Sequence, residues 1–168
     1  MATSNFQLRD FAERILYADT LDEKLAGPAP GSQLIDTAPG VPLIGTTTPG
    51  RPQELRMRRD GVRADFPTTA KLIDEEQRAI LMHFFANHEM LAVELMALVL
   101  LKFPDAPKRF RLGVYQTLRE EQLHTKWYVN RMRECGVHFG DFPVSNLIWD
   151  QIAPMANPLD YVSRLSLS

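Results

Sequence analysis

Hydrophobic positions fall at helical spacing near the N-terminus and again through the second half of the chain, and a long stretch between them has no such order. Phe6, Leu8, Phe11, Ile15 and Leu16 lie near one face of a helical wheel with Arg9, Glu13 and Arg14 elsewhere. That pattern predicts a short amphipathic helix within residues 1–26. From 27 to 70 the periodicity collapses into a segment with seven of the twelve prolines, in PAPG, APG, TPG and RP, and no regular element is expected there. Roughly forty residues of loop is long for a compact domain, so the segment reads as an extended arm that wraps the helices or reaches a neighbouring subunit.

Residues 71–168 change character. From Asp74 to Phe103 there is neither Pro nor Gly, and acidic residues fill the first turn, which predicts one helix over about 74–103, about 45 Å long. Phe103-Pro104-Asp105 ends it; Asp105 is placed to cap the next helix and Pro107 fits that helix's first turn. The second helix runs over about 106–135 and stops at Gly136. Two helices of nearly equal length joined by so short a turn lie antiparallel. A loop, HFGDFPVSN, a short helical stretch from Asn146 to Ala156, and NPLDYVSRLSLS, which reads as the start of a helix, follow. The fold class is all-α, with short C-terminal helices after the hairpin.

Composition narrows the function classes. A chain of 168 residues is one domain by default. With Lys+Arg 19 against Asp+Glu 21 it is nearly neutral, and a nucleic-acid partner is unsupported. Arg51, Arg56, Arg58, Arg59 and Arg63 form a basic cluster in the arm that reads as a solvated segment. Cys135, the single cysteine, has no partner for a disulfide and reads as packing. MATSNFQLRD lacks the apolar core of a signal peptide, so a cytoplasmic location is expected. The apolar run Met90 to Leu101 spans about 18 Å, is interrupted by Glu94 and falls short of the roughly 20 residues a bilayer needs, so it reads as a buried helix and not a membrane span.

The chemistry lies on the hairpin. Glu121-Gln122-Leu123-His124 is a Glu-x-x-His spacing, which sets a carboxylate and an imidazole one turn apart on one helix face. With the turn centred between Pro104 and Asp105, Glu89 lies level with Glu120 and within a rise or two of Glu121. Glu94 lies level with Tyr115, about 9 Å along the axis from Glu121, too far to share a metal with it. Glu89 has Met82, Phe85, Ala86, Val93 and Met96 on its own stripe, and Glu121 has Val114, Leu118, Tyr128 and Met132 near its face. Carboxylates in such an apolar layer are held by a cation or share a proton, and a hard divalent metal suits O,O,N ligation. Periodicity alone also admits Glu121 and His124 as solvated surface residues, or as a buried Glu-His pair without metal. His88, Glu120 and Tyr128 are candidates to support the ligands from outside. His83 reads as a helix-surface or packing residue and His138 as a loop residue. No phosphate loop, nucleophile elbow, Cys-x-x-Cys or His-Glu-x-x-His motif is present.

FANHEMLAVELMALVLLKFPDAP, LREEQLHTKWYVNRM and FGDFPVSNLIW, with LRDFAERILYADTLDEKL and PGRPQEL upstream, resemble the ferritin-like proteins catalogued as domain of unknown function 455. The resemblance covers nearly the whole chain. It implies a ferritin-like helical hairpin, half of a four-helix bundle, in which Glu89 is the single carboxylate of the first helix and Glu121 with His124 the Glu-x-x-His of the second. In that family the chain continues past the position of Leu167 into two helices with a second Glu and a second Glu-x-x-His; here it stops at Ser168. The expectation is therefore half of a two-metal site per chain, for iron or manganese, completed by a homodimer or by a complementary helical chain. The function expected is a non-haem di-iron oxidoreductase; the alternative is an assembly subunit, metal-free or structurally metallated, that pairs its hairpin with another protein. A truncated, inactive form is the third expectation, and iron storage is a weaker one because nothing indicates a cage.

Overall fold

A computed structural model describes residues 4–45, 47–57 and 66–166. The hairpin dominates it. Helix α3, Glu75–Lys102, and helix α4, Lys108–Glu134, form the largest helix–helix contact and run antiparallel. Glu75 and Glu76 sit in the first turn of α3, where the exposed amides favour negative charge. Arg78 closes that end by donating to the carbonyls of Leu72 and Ile73. Asp105 does not cap α4: the cap position is Pro107, which makes no side-chain hydrogen bond. Gly136 ends the helix with φ +77, a conformation that a side chain disfavours.

Every residue of α3 from Val93 to Leu101 is buried, so its C-terminal half is the axis of the core rather than one wall of it. Helix α1, Leu8–Tyr17, packs along it, burying Leu8, Phe11, Ala12, Ile15 and Leu16. Helix α5, Leu147–Ile152, also packs on it, and α6, Pro158–Ser166, packs on α5. The C-terminal segment thus forms a docked helix rather than the mere start of one. By length and composition α3 could cross a membrane, but 72% of its most apolar window is buried inside the protein, which is how the core helix of a soluble protein behaves.

The arm is more ordered than its prolines predict. Residues Asn5–Gln7, expected as helix, form strand β1 and pair in parallel with β2, Gln33–Ile35. Between them lies the five-residue helix α2, Leu21–Leu25, capped by the Thr20 side chain. Short 3-10 turns occupy Gln53–Leu55 and Thr69–Ile73. A segment without a regular hydrogen-bond ladder must satisfy its backbone elsewhere, and here arginines do it. Arg9 donates to the carbonyls of Pro39 and Val41, Arg14 to those of Glu23 and Ala26. Arg111 spans Asp36 and the carbonyls of Leu100 and Phe103. The Leu43 amide caps α3 at the Leu101 carbonyl, and the Gly50 amide meets the Leu16 carbonyl. A Cβ at Gly50 would collide with the Tyr17 carbonyl oxygen, so only glycine lets the arm pass there.

Arg51 corrects the reading of the basic cluster as solvated. It is 5% exposed and grips Glu94 with Nη2 at 2.6 Å and Nε at 2.9 Å. Lys24 Nζ takes the other side of the same carboxylate at 3.0 Å, and both Lys24 and Glu94 are wholly buried. Arg51 also donates to the Leu55 carbonyl and to Asn87, which in turn donates to the Ser145 carbonyl. One buried guanidinium thus ties the arm, α3 and the loop before α5 together. Arg56 is exposed; Arg58, Arg59 and Arg63 lie outside the described residues.

Candidate metal centre

Glu89 of α3 and Glu121 and His124 of α4 come together, each offering a ligand atom within 4.8 Å of the others. His124 Nδ1 lies 2.8 Å from Glu121 Oε2, the pairing that a three-residue spacing on a helix provides. Around them α4 is anchored by its buried side: Gln122 donates to the Lys24 carbonyl at 2.7 Å, and the Thr125 hydroxyl donates back to the Glu121 carbonyl at 2.8 Å. These contacts fix the rotation of α4, so Glu121 and His124 emerge at the edge of the helix interface.

The ligands are less enclosed than their sequence neighbours suggest. The Glu121 side chain is 18% exposed and that of His124 41%. Ala86 and Val93 are buried as expected, but Phe85, one turn before Glu89, is 41% exposed. Its ring pairs with Tyr128, one turn beyond His124, at 5.5 Å between centroids. His124 lies 5.2 Å from the ring of Trp127, which is 63% exposed, and Leu123 beside it is 45% exposed. The cluster is therefore partly open to solvent, with exposed aromatic residues within one turn of it on both helices.

Glu89 carries the clearest electrostatic sign of the cluster. Burial first, then its hydrogen bond to Glu121 and the repulsion of that second carboxylate, push its carboxyl up to about 7, with His124 opposing. Two carboxylates at such separation share a proton unless a cation replaces it. The residues present therefore fit a divalent metal: two oxygen donors and an imidazole converge, and the proton one carboxylate retains is the charge a cation would supply. The sign of the linkage follows. Because the folded protein holds the Glu89 proton more tightly than the unfolded chain, the stability from that proton is present below the ordinary glutamate range and is lost as pH rises through about 7. Without metal, the melting temperature is expected to fall between about pH 5 and about pH 8, and Glu89→Gln to flatten that slope. An unchanged slope in the variant would remove Glu89 as its source.

Other candidates separate clearly. Tyr128 lies one turn beyond His124 with its ring against Phe85, whereas His88 and Glu120 are exposed and are not part of the cluster. Glu94, rejected by depth, is committed to Lys24 and Arg51. His83 is a packing residue: its Nε2 accepts the Gly140 amide at 3.0 Å between the rings of Phe139 and Phe142, and burial pulls it down to about 4. His138 is an exposed loop residue whose amide donates to Asp141. Cys135 is half-buried rather than buried, with its thiol 3.6 Å from Glu75.

Sequence reasoning missed Tyr161. It lies on α6, is 4% exposed, and is pushed up to about 12 by burial and, second, by the charge of Glu121. Its phenol thus stands within the field of a candidate ligand forty residues away in sequence, and no spacing rule connects the two.

The family model described as protein of unknown function (DUF455) matches residues 7–167, and the chain belongs to that family. No curated protein and no solved structure matches it.

Proposed function

We propose that this member of the family is a ferritin-like metal-binding protein, a non-haem di-iron or dimanganese oxidoreductase whose dinuclear site is completed by a second copy of the chain. The convergence of Glu89, Glu121 and His124 from two antiparallel helices carries this reading. A ferritin-like dinuclear site takes one Glu and one Glu-x-x-His from each helix pair, and one such set is present here. Two hairpins related by a two-fold axis beside the cluster would supply the second set and cover the exposed Phe85, Leu123 and Trp127. Such a metal pair supplies one-electron steps toward dioxygen or peroxide. The chain's own part is to hold the metals with Glu89, Glu121 and His124 and to limit water access with the Phe85 and Tyr128 rings. A cytoplasmic location belongs to the same proposal.

The exposed aromatic edge equally favours a second reading, an assembly subunit that pairs its hairpin with a different protein, metal-free or structurally metallated. Mass in solution before and after addition of manganese(II) separates the two. The first reading expects a metal-loaded species of twice the 19.1 kDa chain mass. A stable metal-free complex with another chain would replace it with the second.

A further inference from the structure

Beyond Arg111 at the turn, the buried stripe of α4 reads Val114, Leu118, Gln122, Thr125, Val129 and Met132. Its two polar members lie at the level of Glu121 and His124. The Thr125 hydroxyl stays within its own helix, on the Glu121 carbonyl at 2.8 Å. Gln122 reaches out of the helix. Among the described residues, and the ligands aside, its side chain is the one between Leu118 and Val129 that hydrogen-bonds another element. Nε2 donates to the Lys24 carbonyl at 2.7 Å and to that of Ala26 at 3.4 Å, while Oε1 accepts from Arg119. Gln122 is 1% exposed, and a leucine would fill the same space without desolvating an amide. What the amide adds is direction.

The carbonyls it meets are held independently of α4. The Lys24 amide donates to the Thr20 carbonyl at 3.1 Å within α2, and Arg14 of α1 grips the carbonyls of Glu23 at 2.8 Å and Ala26 at 3.1 Å. None of these bonds uses the Glu94 carboxylate. The end of α2 therefore presents fixed acceptors to one point on α4. Apolar contacts tolerate small rotations of a helix, whereas a short hydrogen bond does not. A rotation of about 20° carries a side-chain end about 5–6 Å from the helix axis through about 2 Å. That is several times the tolerance of about 0.5 Å within which a ligand set must be held.

We infer that Gln122 is a positioning residue for the metal centre: seated on the Lys24 carbonyl of α2, it sets the rotation of α4 at which Glu121 and His124 meet Glu89. The inference rests on the metal-centre reading and extends it, making the arm a third element of the site beside the two helices of the hairpin. Gln122 acts through the helix backbone and is not itself a ligand. By linkage, docking of α2 favours metal binding and metal binding favours docking of α2.

Cobalt(II) titration followed by visible absorption, with urea denaturation of the same samples, tests the inference on the wild type, Gln122→Met, Gln122→Glu and Arg111→Met. Gln122→Met keeps the length and removes both hydrogen-bonding ends; Gln122→Glu keeps an acceptor for Arg119 and removes the donor to Lys24. Arg111→Met breaks the Asp36 pair at the turn and is the control for stability lost away from the centre. Both Gln122 variants are expected to bind cobalt about tenfold more weakly than the wild type, with an altered ligand-field spectrum at saturation. Arg111→Met is expected to unfold at lower urea yet bind within about twofold of the wild type. Either Gln122 variant binding within about twofold of the wild type would overturn the inference. So would equal weakening in Arg111→Met, since lost stability alone would then account for it, and so would failure of both Gln122 variants to fold, which would make the residue a structural support. If the wild type takes up no cobalt in any assembly state, the metal-centre reading itself fails and this inference falls with it.

Discussion

Glu94→Ala is expected to cost about 3–5 kcal/mol of folding stability, the range for breaking a buried ion pair from one side. The carboxylate is wholly buried between Lys24 Nζ at 3.0 Å and Arg51 Nη2 at 2.6 Å. Its removal strands two cations in the core. Lys24 is already held below the usual lysine range, by burial first, and Glu94 is what opposes that burial. Lys24 Nζ keeps the Ile15 carbonyl and Arg51 keeps Leu55 and Asn87, yet neither of those partners carries a formal charge. Lys24→Met in the Glu94→Ala background should return part of the loss, because one stranded cation goes with it. Urea denaturation of the two variants checks both statements; a Glu94→Ala loss below about 1 kcal/mol, the level of an exposed pair, would contradict them.

The second large effect separates the two glutamates. Glu121→Ala is expected to abolish metal binding, since it removes a carboxylate that meets both Glu89 and His124. Glu94→Ala, in whatever fraction remains folded, should bind metal nearly as the wild type does, because its carboxylate is committed to Lys24 and Arg51. Manganese(II) titration followed by electron paramagnetic resonance gives the two affinities. Equal loss in both variants would remove the argument that depth along the hairpin selects the ligands.

The hairpin was legible because its signals are local and agree with one another. A run without Pro or Gly, a short Pro104-bearing turn and a stop at Gly136 placed both helices within two residues of their ends. Counting back from the turn was enough to bring Glu89 level with Glu121, since antiparallel geometry converts sequence number into depth. What the periodicity could not convey was exposure. It placed Phe85 and Glu89 on an apolar stripe, but α5 and α6 cover the hairpin toward its turn and leave the Phe85 end open.

The arm was misread for a related reason. Its prolines lead to the expectation of no regular element over 27–70, whereas β2 and two 3-10 turns form there, and the remaining order comes from arginine side chains and single amides that reach carbonyls far away in sequence. Arg51 illustrates the limit. In sequence it is one of several basic residues beside prolines, and only the buried Glu94, forty-three positions later, distinguishes it. Asn5–Gln7 forms a strand because Gln33–Ile35 lies alongside, an influence that an 11-residue helical pattern does not contain. Tyr161 is hidden for the same cause: its meaning depends on where α6 docks.

Metal binding by Glu89, Glu121 and His124 is the central proposal. Anaerobic calorimetric titration of iron(II) into the purified wild-type protein tests it most directly. Saturable binding at one ion per chain is expected, tightening as pH rises through the Glu89 value of about 7 and releasing protons as it does so. No saturable binding at any pH, or binding that Glu121→Ala leaves intact, would contradict it.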